Sequence, residues 1–133
     1  MKLDHIGIVV EDLLISVDYY TKLYKTSIYK HEYIEPAHGV KIVFLNAGEG
    51  VSTKIELICP IDEKSKVHNF LKKTGGGFHH TAFTVNNLSD SIKDFQKLNS
   101  IILGKPNPAA GHQNKPSIWI YNRDKSLIEL IED

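Results

Sequence analysis

Residues 3–10, LDHIGIVV, run apolar and β-branched, which predicts a strand over about Leu3–Val10. The pattern then changes period. Leu13, Val17, Tyr20 and Leu23 recur at helical spacing, and Asp12 stands just before them, where a carboxylate can cap free amides. Three further apolar runs predict strands near Ser27–Ile34, Val40–Asn46 and Thr53–Cys59. A short amphipathic helix is expected near Glu63–Lys73, followed by a Gly75–Gly77 hinge. Beyond it the same order returns. A strand is predicted over Phe78–Val85, then a helix carrying Leu88, Ile92, Phe95 and Leu98 behind an Asn87 cap. Strands near Ile101–Lys105, Ser117–Tyr121 and Ser126–Ile131 complete the chain, and GKPNPAAGHQNKP (104–116) reads as its longest irregular stretch.

The recurrence extends to individual residues. DHIGIVVEDLLISVDYY (4–20) set above HHTAFTVNNLSDSIKDF (79–95) places His5 on His80, Val10 on Val85 and Leu13 on Leu88. Ser16 falls on Ser91, Val17 on Ile92 and Tyr20 on Phe95; KIELI (54–58) and LIELI (127–131) share Ile-Glu-Leu-Ile. Internal similarity of this kind indicates a duplicated module. The expected fold class is α+β: two βαβββ modules forming a curled, mostly antiparallel sheet with helices outside. One domain should span 1–133, with modules at about 1–60 and 78–133 and a linker helix in 61–77.

Composition narrows the function. Lys plus Arg equals Asp plus Glu at 16 each, so the basic excess needed by a nucleic-acid or membrane-surface binder is missing. No apolar run approaches the roughly 20 residues of a membrane span, and the start of the chain reads as a strand, not a signal peptide. Cys59 is the single cysteine, which rules out an internal disulfide and a thiolate metal site and suits a reducing cytoplasm. Any metal site must be built from His and carboxylates.

Strand alternation shows how. Ile6, Ile8 and Val10 should face the helix, leaving His5, Gly7 and Val9 on the other side; likewise Thr81, Phe83 and Val85 oppose His80, Ala82 and Thr84. In the last strand of each module Ile55 and Leu57, or Ile128 and Leu130, share the helix side, leaving Glu56 and Glu129 with the histidines. A lone strand histidine is normally structural, and a lone Glu in IEL normally faces solvent. Four such residues at matched positions of two modules are a different matter. A carboxylate between apolar neighbours is costly to bury without positive charge nearby. Two imidazoles and two carboxylates neutralise a divalent cation, and N2O2 ligation favours Ni, Co, Zn, Mn or Fe over Ca or Mg. The predicted metal ligands are therefore His5, Glu56, His80 and Glu129. His79 aligns with Asp4, points away from His80 and reads as structural or solvent-facing.

These residues resemble the vicinal oxygen chelate superfamily (glyoxalase, bleomycin resistance and dioxygenase proteins) over essentially the whole chain. LDHIGIVVEDL, HGVKIVFLNAG (38–48), IELICP (55–60) and GGFHHTAFTV (76–85) look most like the methylmalonyl-CoA epimerase family, and AGHQNKP (110–116) is similar to its active-site loop. The resemblance implies His/Glu/His/Glu ligation of one divalent ion and proton transfer α to a carbonyl through a metal-stabilised enolate. It implies Glu129 and Glu56 as acid and base, and an acyl-CoA thioester or glutathione adduct as substrate, with Lys115 and Lys41 as candidate contacts. It also implies a homodimer. Ile42 stands where some epimerases carry an additional catalytic Glu. YNRDKSLIEL (121–130) is closer in length to the ending of glyoxalase I, which makes that lyase, acting on a glutathione thiohemiacetal, the alternative. A non-catalytic antibiotic-binding protein is a second alternative, disfavoured by retention of all four ligands.

Overall fold

The computed structural model describes residues 1–133. Its elements run β1 (Lys2–Val9), α1 (Leu13–Tyr24), β2 (Ile28–Glu35), β3 (Val40–Asn46), β4 (Lys54–Pro60), α2 (His68–Thr74), β5 (Gly77–Val85), α3 (Leu88–Lys97), β6 (Ile101–Ala109), β7 (Lys115–Tyr121) and β8 (Leu127–Glu132). The βαβββ order occurs twice, and the fold is α+β. The chain gathers into two compact units: His5–His79, and Met1–Asp4 together with His80–Asp133. The linker helix belongs to the first unit, and the first four residues belong to the second.

In the first unit the strands lie in the order β2-β3-β4-β1; in the second the order is β6-β7-β8-β5. Hairpin-connected neighbours pair antiparallel, whereas β1 with β4 and β5 with β8 pair parallel. The parallel pairs follow from topology, since a strand that rejoins its module's first strand in the same direction needs a long connection.

Helices α1 and α3 form for the reasons read from the sequence. Asp12 accepts from the Ile15 amide and Asn87 from the Asp90 amide, each at 2.9 Å, a cap worth about 1 kcal/mol. Their apolar stripes bury equivalent residues. Leu13, Val17 and Tyr20 pack with Ile8, Ile55 and Leu57; Leu88, Ile92 and Phe95 pack with Phe83, Ile128 and Leu130. Helix α2 is shorter than expected and starts at His68, because the residues before it form turns in which the Asp62 carboxylate accepts from the Lys64 amide. It also lies elsewhere: Val67, Phe70 and Leu71 pack on Val9, Ile42, Phe44 and Ile58, the face turned away from α1. Gly76 (φ +100°) makes the join after it, since a Cβ there would stand 2.6 Å from the Val9 carbonyl oxygen.

The stretch 104–116 is not irregular. Strand β6 runs through Pro106 and Pro108 to Ala109, one 3-10 turn covers Ala110–His112, and β7 begins at Lys115. Two residues at positive φ, Gln113 and Asn114, close that hairpin. Prolines are tolerated because β6 ends its strand order, where an N–H can go without a ladder partner.

Candidate metal centre

In the first unit the strand register sets Lys30 opposite Phe44, Phe44 opposite Glu56 and Glu56 opposite Gly7. Cross-strand partners share a face, so one row crosses four strands: Lys30, Phe44, Glu56, Gly7. The second unit repeats it as Leu103, Trp119, Glu129, Ala82. In both, the histidine stands two residues before the small residue and therefore on the same face. The small residue leaves room beside the carboxylate, and the register puts His and Glu on adjacent strands.

All four expected ligands are inaccessible: His5 is 0% exposed, Glu56 7%, His80 1% and Glu129 8%. His5 Nε2 lies 3.4 Å from a Glu56 oxygen. Two carboxylates this deep need positive charge or donated hydrogen bonds. His5 and Glu56 of the first unit form a buried His/Glu pair of metal-ligand type, and His80 and Glu129 stand in the matched register of the second. The donors are nitrogen and carboxylate oxygen only, chemistry that fits a first-row divalent ion. Each imidazole is also fixed from the side. The His5 ring meets Phe44 edge-on at 5.3 Å, and the His80 ring meets Trp119 edge-on at 4.7 Å. These aromatic supports were not foreseen, although VFL (43–45) and IWI (118–120) are matched segments of the repeat and could have shown them.

The surroundings differ from expectation at several residues. His79 is half-buried and edge-on to Phe70 at 4.9 Å, in keeping with the structural one of its two expected readings. Burial holds its pKa below 6.5, with the Glu56 charge opposing and the His38 charge assisting. Burial also lowers the pKa of His38, helped by Lys66 and opposed by Glu35 and Glu56. Glu35 is a further buried carboxylate, on the Ile42 face through its register with Val40, and it accepts from the Ala37 amide at 3.3 Å. Ile42 is buried in the apolar cluster beside Phe44, so no carboxylate occupies that place. In the second unit, His112 of the AGHQNKP segment is held by Asp4 at 2.8 Å, Nε2 to Oδ2.

The two lysines separate. Lys115 is on the Trp119 side of β7, with Nζ 3.4 Å from Asp133 Oδ1. Lys41 is opposite Cys59, which packs with the α1 cluster. Strand alternation thus turns Lys41 away from the Glu56 face.

Comparison with known proteins fits this architecture. The profile of the Glyoxalase/Bleomycin resistance protein/Dioxygenase superfamily matches residues 4–116. The chain belongs to that superfamily. Among its members, the mitochondrial methylmalonyl-CoA epimerase of Dictyostelium discoideum is 32% identical over 98% of this chain and 78% of its own length. The crystal structure of methylmalonyl-CoA epimerase from Mycobacterium tuberculosis superposes with a TM-score of 0.86 at 28% identity, covering 98% of this chain and 87% of the other. A Streptomyces coelicolor methylmalonyl-CoA epimerase variant in complex with 2-nitronate-propionyl-CoA superposes with a TM-score of 0.84 at 26% identity, covering 100% and 97%. No helix of this superfamily member is long and apolar enough to cross a membrane.

Proposed function

We propose that the protein is a divalent-metal-dependent epimerase that moves a proton at the carbon α to a thioester carbonyl, with methylmalonyl-CoA as substrate. The observation that carries this reading is the duplicated row: two buried His/Glu pairs in the same register, each with a small residue beside its carboxylate. Supporting it are relatives named methylmalonyl-CoA epimerase that match nearly the whole chain, one of them bound to an acyl-CoA ligand. The same relatives favour the epimerase over glyoxalase I, and the four retained ligand-type residues disfavour a binding protein without catalysis.

His5, Glu56, His80 and Glu129 would hold the ion, one of Ni, Co, Zn or Mn. When bound, it polarises the substrate carbonyl and lowers the pKa of the adjacent C–H bond. The chain's own residues do the rest. Gly7 and Ala82 leave space for the substrate beside the two carboxylates. Glu129 takes the proton from one side of the α carbon, and Glu56, from the other module, returns one to the opposite side. With Ile42 apolar, these two glutamates carry both roles. Phe44 and Trp119 hold the imidazoles in orientation and keep water from their rings. A cytoplasmic homodimer is part of this reading; the free Cys59 and the exposed Ile15, Tyr19 and Leu23 on α1 support it.

The test is deuterium incorporation at C2 of (2R)- and (2S)-methylmalonyl-CoA in deuterated water, run beside a methylglyoxal–glutathione assay. Reconstituted protein should exchange that proton and interconvert the epimers. Less than about 0.2 equivalents of bound metal after reconstitution, where one ligand set should take one ion, would sink the metalloenzyme reading. Turnover of the thiohemiacetal alone would replace the epimerase by the lyase.

A further inference from the structure

The two rows differ at their outer ends. Where the second unit has Leu103 opposite Trp119, the first has Lys30 opposite Phe44. The matched position of the second unit thus holds an aliphatic side chain where the first holds a charge. Lys30 reaches the Glu56 face through an irregularity. The register shifts between Lys30 and Tyr33, so these residues, three apart in sequence, oppose Phe44 and Ile42, which share a face. Bulges commonly re-aim side chains next to active sites. The result is a packed series from the metal ligand outward. His5 is edge-on to Phe44, Phe44 stacks on Tyr33 at 6.4 Å and 14°, and the Lys30 ammonium sits 4.4 Å above the Tyr33 ring. The ring limits the rotamers of a half-buried lysine, whose strand stands two strands from that of Glu56.

We propose that Lys30 is a specificity-determining residue of this site, seating an anionic group of the substrate, a phosphate or a carboxylate, on the Glu56 face. The proposal rests on the epimerase reading, which supplies a substrate with both kinds of anion. It assigns an anion contact on the Glu56 face to β2. In the epimerase reading Glu129 and Glu56 move the proton, so the loss of Lys30 should act on binding.

The experiment measures KM and kcat for metal-loaded wild type, Lys30→Leu and Lys30→Arg, with methylmalonyl-CoA and with methylmalonyl-pantetheine, which lacks the phosphates. The leucine variant copies the residue of the second unit and should fold; thermal denaturation checks that. Expected for Lys30→Leu is a KM raised about tenfold, the size of a lost charge-assisted hydrogen bond, with kcat within about twofold and recovery in Lys30→Arg. A rise with the CoA ester alone identifies the phosphates; an equal rise with both thioesters identifies the carboxylate. An unchanged KM for both, or a drop in kcat and thermal stability that arginine does not restore, overturns the proposal while the epimerase reading stands. Wild type that turns over neither thioester overturns the reading and the proposal together.

Discussion

The helices α1 and α3 are alike on their buried sides. Leu13 and Leu88, Val17 and Ile92, Tyr20 and Phe95 fill equivalent places. Their outer sides have parted. Where α1 exposes Leu14, Ile15 and Tyr19, α3 has Ser89, Asp90 and Asp94, with Asp90 and Asp94 paired to Lys93 and Lys97 at 3.0 and 2.9 Å. The same division runs through the strands: the Glu, the small residue and the aromatic ring recur in each row, while the rim has become Lys30 in one unit and Leu103 in the other. The two units are alike in the residues of their Glu rows and helix stripes and differ in what faces outward.

That division can be tested where it should matter most. His5→Ala and His80→Ala occupy matched positions, so each should lose bound metal after reconstitution, measured by elemental analysis. Loss in only one would show that the units do not contribute alike. Glu129→Gln should keep its fold and lower epimerase turnover about 10²–10⁴-fold, the range for a positioned acid or base. Next come the aromatic supports. Phe44→Ala removes a ring only 3% exposed and should cost about 3–5 kcal/mol in chemical denaturation. Trp119→Ala should cost less, because its side chain is less fully buried.

Much of this site could be read from the chain alone because a strand has a period of two. Given His5 and Glu56 on one face, repetition at His80 and Glu129 carried the argument, and the structure places all four on the matched faces. The interval Val40–Asn46 agrees with β3 at both ends. Parity, applied to β3, would also have set Lys41 apart from Glu56. What could not be read depends on register between strands. Lys30 meets Phe44 only because the β2–β3 pairing is irregular on both sides of it, and no local pattern encodes that slip. The strand through Pro106 and Pro108 escaped for a related reason: proline signals a loop locally but is harmless on the last strand of a sheet. The placement of α2 against Ile42 and Phe44 is a tertiary choice, made by Val67, Phe70 and Leu71 together.

Smaller effects sharpen the contrast between units. Asp12→Ala and Asn87→Ala remove equivalent caps, and each should destabilise by about 1 kcal/mol. A much larger loss at α1 would show that its exposed apolar side holds more than the helix itself. The smallest expected effect is on pH dependence in the first unit. Burial keeps the His38 imidazole below its ordinary 6.5, so near pH 6 the unfolded chain binds more protons at this residue than the folded one. Its share of stability is complete above about pH 6.5 and declines as pH falls below it. His38→Gln should flatten that decline in thermal unfolding measured across pH 5–7, and an unaltered slope would mean the imidazole titrates normally.

The glycine run before β5 has a bearing on how this chain can vary. Gly75, Gly76 and Gly77 all sit at positive φ, yet only Gly76 has backbone where a side chain would begin. In a library randomised over these three positions, Gly75 should admit asparagine at a modest backbone cost and Gly77, at φ +104°, at a larger one, because nothing lies within 4 Å of a Cβ at either. The middle one should return glycine alone. One codon of three, then, carries the spatial constraint of the join, and its neighbours carry only a conformational preference.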